Sequence, residues 1–208
     1  SKDYPDDILA DTARASAEGI LRANPNARCG INISCYNENA LRIADLVYRE
    51  GHSFYYMGVD QYFGSWQPGD VENWNGVIDG LYERYHLPVL ANEWGYSSNG
   101  EVAAQRPEPD SIPEGWSDVC AVKQWFYDVP GGHTYEVQAD YFARGLKLFA
   151  EHPHCLGSFM FCWRDAYHCY HCGAPDCPAE CYWGLVTADC KPKPAYYAAK
   201  EALEKYYK

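Results

Sequence analysis

Four short segments of the chain combine carboxylate, amide and aromatic side chains, and each follows an apolar run. They are CYNEN (35–39), DQYFGSW (60–66), NEWGYSS (92–98) and CWRDAYH (162–168). The chain also contains 19 Tyr and 7 Trp. A ring with a polar tip suits a ligand that is apolar on one face and hydroxyl-rich on the other, as a sugar is. These segments are the candidate functional positions; packing on helix faces is the alternative for most of the tyrosines.

Apolar runs and amphipathic stretches alternate along the chain and must position these segments. Periodicity predicts helices at 8–24, 38–50, about 71–85, about 135–151 and 194–206. Short apolar runs predict buried strands at 29–34, 54–63, 88–94 and 157–163. This alternation is typical of parallel strands covered by helices, so the predicted fold class is α/β.

A doubly wound sheet and a (β/α)8 TIM barrel both satisfy this alternation. No predicted strand is followed by the glycine-rich turn that dinucleotide-binding sheets use, which favours the barrel. Functional side chains of a barrel cluster at the C-terminal ends of its strands, where the four candidate segments lie. We therefore expect the chain to supply about half of a TIM barrel.

Composition narrows the class of partner. The formal net charge of −12 argues against nucleic acid or an anionic membrane, since both select for clusters of Lys and Arg. The 10 cysteines in 208 residues favour an oxidising compartment with disulfide bonds, so we expect an extracellular protein or one in the secretory-pathway lumen. A carbohydrate remains an allowed ligand.

In its order of motifs, the chain resembles the second half of the clan A retaining glycoside hydrolases, which are (β/α)8 barrels. LRANPNARCGIN (21–32) resembles the approach to strand five, and GVDQYFGSW (58–66) resembles strand six. LPVLANEWGYSS (87–98) resembles strand seven, and GSFMFCWRDA (157–166) resembles strand eight. The resemblance implies that residues 1–208 form the C-terminal half of such a domain, with loop insertions at about 95–134 and 166–183.

The resemblance also implies roles for residues at the strand ends. Retaining hydrolysis uses two carboxyl groups about 5 Å apart, and Glu93 stands at the position of the nucleophile. Tyr62 is expected to hydrogen-bond Glu93 and hold it ionised, and Trp163 to form an aromatic platform under the sugar. The other candidates for substrate contact are Trp66, Trp94, Asn92 and Asp165. Packing is the alternative for the aromatic residues, and a surface ion pair for Asp165 or its neighbour Arg164.

The second carboxyl group, the acid/base, is expected outside this chain. In the family, this Glu follows an Asn at the end of strand four, and Asn37-Glu38 reproduces that dipeptide. However, a single helix separates it from the next strand, so we assign it to strand five. Strands one to four and the acid/base are then expected from an upstream segment or a separate chain. A non-catalytic extracellular structural or carbohydrate-binding protein with the same barrel is the alternative.

The segment HCYHCGAPDCPAEC (168–181) is the other pattern with chemical potential. Its cysteines, Cys169, Cys172, Cys177 and Cys181, begin with a CxxC pair that suits tetrahedral zinc. The four lie within one short loop, however, and six further cysteines already require an oxidising explanation. We therefore expect disulfides rather than zinc, no catalytic metal and no cofactor.

Overall fold

A computed structural model describes residues 5–49 and 51–207. Its strands are β1 (Gly30–Ile33), β2 (Tyr56–Asp60), β3 (Val89–Trp94) and β4 (Cys155–Met160). Its helices are α1 (Asp6–Ala23), α2 (Glu38–Val47), α3 (Trp74–Tyr85), α4 (Asp118–Val122), α5 (Tyr135–Glu151), α6 (Pro178–Cys181) and α7 (Pro194–Tyr206). Short 3-10 turns occur at Val71–Asn73 and Pro109–Ser111.

The four strands form one parallel sheet in the order β1-β2-β3-β4. The predicted α/β class with parallel strands is therefore confirmed. An irregularity after Val59 places Asp60 of β2 opposite Glu93 of β3. The C-terminal ends of neighbouring strands thus bring acidic side chains to one edge of the sheet.

The main core lies between the sheet and the helices. Met57, Val59, Val89 and Ala91 supply fully buried strand side chains. Trp94, at the end of β3, packs on the rings of Tyr141, Phe142 and Phe149 in α5. Gly145 makes this approach possible, because a Cβ there would lie 2.2 Å from the Trp94 ring. A small residue in α5 thus fixes the end of the strand that carries Glu93.

Capping accounts for where several helices begin. The Asn37 side chain accepts a hydrogen bond from Ala40 N at 3.0 Å and caps α2. Glu38 is then the first residue of α2. The Asn37-Glu38 dipeptide follows β1, and its Asn begins a helix, as short polar side chains do at such positions.

The two predicted insertions pack against each other and form a second, smaller core. Its buried members come from both: Val119, Cys120, Trp125, Cys169, Cys177, Ala179, Cys181 and Trp183. Trp125 also bridges back to Val102 within the first insertion. Within the described residues, no helix has the length and apolar character needed to cross a membrane.

Candidate active site

Glu93 and Tyr62 face each other at the C-terminal edge of the sheet. Glu93 lies near the end of β3 and is exposed, whereas Tyr62 follows β2 and is half-buried. Tyr62 Oη donates a hydrogen bond to Glu93 Oε2 at 2.6 Å. Gln61 N donates to the backbone oxygen of Glu93 at 3.0 Å, which ties the two strand ends together. The carboxylate is therefore held by a short bond from a side chain on the neighbouring strand.

The Tyr62 hydroxyl keeps its proton under physiological conditions. Burial raises its pKa well above the usual range, and the hydrogen bond to Glu93 and the Glu93 charge raise it further. The ring is fixed by edge-on contacts with Trp183 and Phe161, at centroid distances of 5.1 and 6.1 Å. Tyr62 is thus a permanent donor in a fixed position.

A cavity of about 400 Å³ opens beside Glu93. It is lined by Tyr62, Trp66, Glu93, Phe161, Tyr170, His171, Ala179, Glu180 and Trp183. The strand ends supply one wall and the second insertion supplies the other. A concave surface of aromatic rings with a few carboxyl groups is suited to a small polyhydroxylated ligand.

Glu180, in α6, is the second carboxyl group in this cavity. Burial raises its pKa to about 7 and the Glu93 charge adds to that shift, while a hydrogen bond from Tyr170 opposes it. His171 Nε2 lies 3.6 Å from Glu180 Oε1. Glu180 therefore keeps its proton to a higher pH than a solvated glutamate does, and it shares the cavity with Glu93.

A polar chain crosses the sheet just below Glu93. Asn92 donates from Nδ2 to Asn32 Oδ1 at 2.9 Å, and Asn32 donates from Nδ2 to Asp60 Oδ2 at 2.7 Å. Burial raises the pKa of Asp60 to about 6, with the Asn32 bond opposing the shift and the Glu93 charge reinforcing it. Gly58 leaves room for this chain, because a Cβ there would lie 2.4 Å from Asn92 Nδ2.

The other candidate residues from the sequence occupy different environments in the structure. Trp66 lines the cavity and packs edge-on against Trp125 at 5.2 Å. Trp94 is fully buried in the main core, and Trp163 is 62% exposed but does not line the cavity. Asp165 is buried and paired with Lys193 at 3.1 Å, and it also accepts from Gly184 N at 2.7 Å. Trp94 and Asp165 therefore stabilise the fold around the cavity and do not face it.

Sequence reasoning missed six of the nine lining residues: Phe161, Tyr170, His171, Ala179, Glu180 and Trp183. Phe161 lies two residues before Trp163 in the same run, and the role of Trp163 as an aromatic platform stays a prediction, since this cavity does not include it. The others belong to the second insertion and its flank. Only the folding of that loop over the strand ends brings them to Glu93, and no local pattern signals that.

The cysteines also differ from expectation. Among residues 5–49 and 51–207, no two cysteines are joined by a disulfide bond. Cys169, Cys172 and Cys177 come together with Cys120 from the other insertion. Cys181 stays outside the group, and its Sγ contacts the backbone oxygen of Ala174. Four of the ten cysteines thus form one compact thiol cluster, and the expected disulfides are not present among the described residues.

Among the comparisons with known proteins, only the search of solved structures gives matches. No protein-family model matches the chain, and no curated protein matches it either. Solved structures do match, and glycoside hydrolases are among them. The chain therefore shares its α/β fold with a part of such enzymes.

Three of these structures show the extent of the similarity to this chain. A GH2 β-galacturonidase from Eisenbergiella tayi, bound to galacturonate, gives a TM-score of 0.62 at 14% identity, over 94% of this chain and 30% of that chain. A Bacteroides uniformis β-glucuronidase gives a TM-score of 0.60 at 15% identity, over 90% of this chain and 19% of that chain. A putative β-galactosidase from Bacteroides fragilis gives a TM-score of 0.62 at 14% identity, over 96% of this chain and 26% of that chain. The chain thus spans less than a third of the length of these structures.

Proposed function

We propose that this protein is a retaining glycoside hydrolase that acts on a β-linked poly- or oligosaccharide, with Glu93 as the nucleophile. The observation that carries the proposal is the position of Glu93. It lies next to the last residue of a parallel strand, lines an aromatic cavity and accepts a 2.6 Å hydrogen bond from Tyr62. The fold shared with glycoside hydrolases supports the same conclusion.

In this mechanism, a Glu93 oxygen forms a bond to the anomeric carbon of the sugar. The bond from that carbon to the leaving oxygen breaks, and the leaving oxygen takes a proton from the acid/base. A water molecule, deprotonated by the same group, then breaks the glycosyl ester and restores the Glu93 carboxylate. Tyr62 engages Glu93 Oε2 and orients the carboxylate for attack.

The aromatic walls position the sugar ring. Trp66, Phe161 and Trp183 line the cavity together with Glu93. An apolar sugar face stacks on such rings, while its hydroxyl groups reach the polar edge of the site. Holding the anomeric carbon close to the carboxylate is itself a large contribution to the rate of such reactions.

We propose that the acid/base lies outside these 208 residues, on further strands of a complete barrel. Two exposed apolar side chains on β4 support this, since Leu156 is 46% and Phe159 is 62% exposed. Further strands that close the sheet into a barrel would cover them and supply the carboxyl group that retaining enzymes place about 5 Å from the nucleophile. Glu180 is then a neighbouring charge and not the proton donor.

The proposal is tested on the full-length protein with fluoro-sugars that trap a retaining nucleophile as a stable ester. We expect one label, on the peptide that contains Glu93, and none on a Glu93→Gln variant. Glu83→Gln changes an exposed Glu of α3 that does not line the cavity and serves as the matched control. If several β-configured probes leave Glu93 unlabelled while oligosaccharides still bind, the protein is a carbohydrate-binding protein and the enzyme proposal fails.

The acid/base assignment is tested with Glu180→Gln and an activated aryl glycoside. An acid/base variant loses activity on poor leaving groups but retains it on activated ones, and azide restores its turnover. We expect Glu180→Gln to show no azide rescue. Rescue with formation of a glycosyl azide would place the acid/base at Glu180 and contradict the proposed location.

A further inference from the structure

We infer that Cys120, Cys169, Cys172 and Cys177 form a structural zinc site that joins the two insertions. The Sγ atoms of these residues all lie within 4.8 Å of one another. Three of the side chains are buried, and Cys172 is half-buried. Four thiol groups converging on one point in a dry environment have no packing explanation, because each sulfur faces other sulfurs.

The distances distinguish zinc from disulfides. Cys120 Sγ lies 3.7 Å from Cys169 Sγ and 3.6 Å from Cys177 Sγ. A disulfide bond is about 2.05 Å long. Zinc–sulfur bonds of about 2.3 Å place the sulfur atoms of a tetrahedral site about 3.8 Å apart. The observed separations therefore match the edges of a ZnS4 tetrahedron, and Cys120 contacts two cysteines at once, which a disulfide cannot satisfy.

Local structure prepares three of the four ligand positions. Ser117 caps α4 by accepting from Cys120 N at 3.1 Å, which fixes Cys120. Cys169 and Cys172 lie in a CxxC turn closed by Gly173 N donating to Cys169 O at 2.8 Å. Gly173 has a φ of 73°, a conformation in which glycine is favoured.

Cys177 supplies the fourth ligand from the residue before α6. The ligand set therefore combines a CxxC pair and Cys177 with Cys120, 49 residues before Cys169 in sequence. The cysteines of the second insertion alone lie within one short loop, so only Cys120 provides a ligand that is distant in sequence. Cys181, which completes the four cysteines of the loop, is one helical turn away from the cluster and takes no part.

The chemistry of the donors specifies a closed, non-catalytic site. Four thiolates fill the tetrahedral coordination of Zn²⁺ and leave no position for a substrate or water. The cluster belongs to the second core, against which Tyr62, Trp66 and Phe161 of the cavity also pack. The metal would therefore hold the cavity wall in place without taking part in the reaction.

The first test is the metal content of the full-length protein purified without chelators. We expect one zinc per chain, released when an organomercurial reagent modifies the thiols. Cys120→Ser and Cys177→Ser should each lower zinc to less than half of the wild-type value, and Cys181→Ser, a buried cysteine outside the cluster, should retain it. Iron in place of zinc, or zinc retained in both ligand variants, would overturn the assignment.

A second measurement does not depend on the folding of variants. Wild-type protein exchanged with Co²⁺ should show thiolate-to-cobalt charge-transfer bands and the intense visible bands of a tetrahedral site. A non-reduced peptide map of the native protein should show free Cys120, Cys169, Cys172 and Cys177. A Cys120–Cys169 or Cys120–Cys177 disulfide, or an octahedral cobalt spectrum, would contradict the inference. Neither readout involves Glu93, so failure here is distinct from failure of the proposed activity.

Discussion

The Tyr62 hydroxyl is the side-chain group that the structure places in direct contact with the proposed nucleophile. The packing contacts with Phe161 and Trp183 are made by the ring and not by the hydroxyl. Its single hydrogen-bond acceptor is Glu93 Oε2 among the described residues. The hydroxyl therefore acts on the carboxylate, and the ring acts on the cavity wall.

Tyr62→Phe separates these two contributions. We expect kcat/KM to fall about 10- to 100-fold, because a hydrogen bond to a charged group contributes about 1.5–3 kcal/mol. Tyr167→Phe removes a comparable surface bond to Asp189 and should leave kcat/KM unchanged. Steady-state kinetics on one aryl glycoside measure both variants. Wild-type kcat/KM in Tyr62→Phe would show that the bond to Glu93 has no catalytic role.

Asp60 makes the stability of the fold depend on pH. Its folded-state pKa is raised from 3.8 to about 6, so the folded state binds its proton more tightly than the unfolded state does. The stability that this provides is complete below about pH 4 and is lost as pH rises through about 6. Asp60→Asn should therefore lose less thermal stability than wild type between about pH 4 and about pH 8.

Thermal unfolding at a series of pH values checks this. Asparagine keeps an acceptor for Asn32, so the polar chain across the sheet remains. Asp110→Asn, an exposed aspartate in a 3-10 turn, is the matched control and should follow the wild-type curve. Parallel curves of stability against pH for wild type and Asp60→Asn would show that the pKa of Asp60 does not differ between the folded and unfolded states.

At the level of elements, the sequence predicted what local signals determine. The strands of the sheet and the helices that cover it each have their own pattern of apolar residues. The helices predicted at 135–151 and 194–206 match α5 and α7. Glu93 and Tyr62 were predictable because strand ends meet at one edge of a parallel sheet. The cavity wall was not predictable, since Glu180 reaches it only through the packing of the two insertions. In that packing, Cys177 contacts Cys120, 57 positions earlier in the sequence.

The contact between α5 and β3 gives a prediction for this scale. In Gly145→Ala the new Cβ meets the Trp94 ring, so we expect destabilisation by about 1–3 kcal/mol from overpacking. Gly76 of α3 has no atom within 4 Å of a built Cβ. Gly76→Ala should therefore stabilise by about 0.5–1 kcal/mol through helix propensity. Urea unfolding measures the free energy of unfolding of both variants. A Gly145→Ala protein as stable as wild type would show that Trp94 and the end of β3 can move away from α5 without cost.

At the level of the whole molecule, the structure joins two cores of different origin. The main core is built from the sheet and helices, whereas the second core is built from the insertions around the thiol cluster. No disulfide bond joins two cysteines among the described residues, so the second core depends on packing and on the proposed metal site.

This division predicts how the molecule responds when the proposed zinc is removed. Chelation should raise amide hydrogen exchange in residues 95–134 and 166–183, because only the insertions depend on the metal for their mutual contacts. Exchange in β2, β3 and α5 should stay close to that of the metal-bound protein, since the main core contains none of the four ligands. Adding Zn²⁺ back should restore protection, and adding Mg²⁺, which prefers oxygen ligands, should not. Equal loss of protection in β3 and in the insertions would show one cooperative unit, and no change on chelation would show that the second core is held by packing alone.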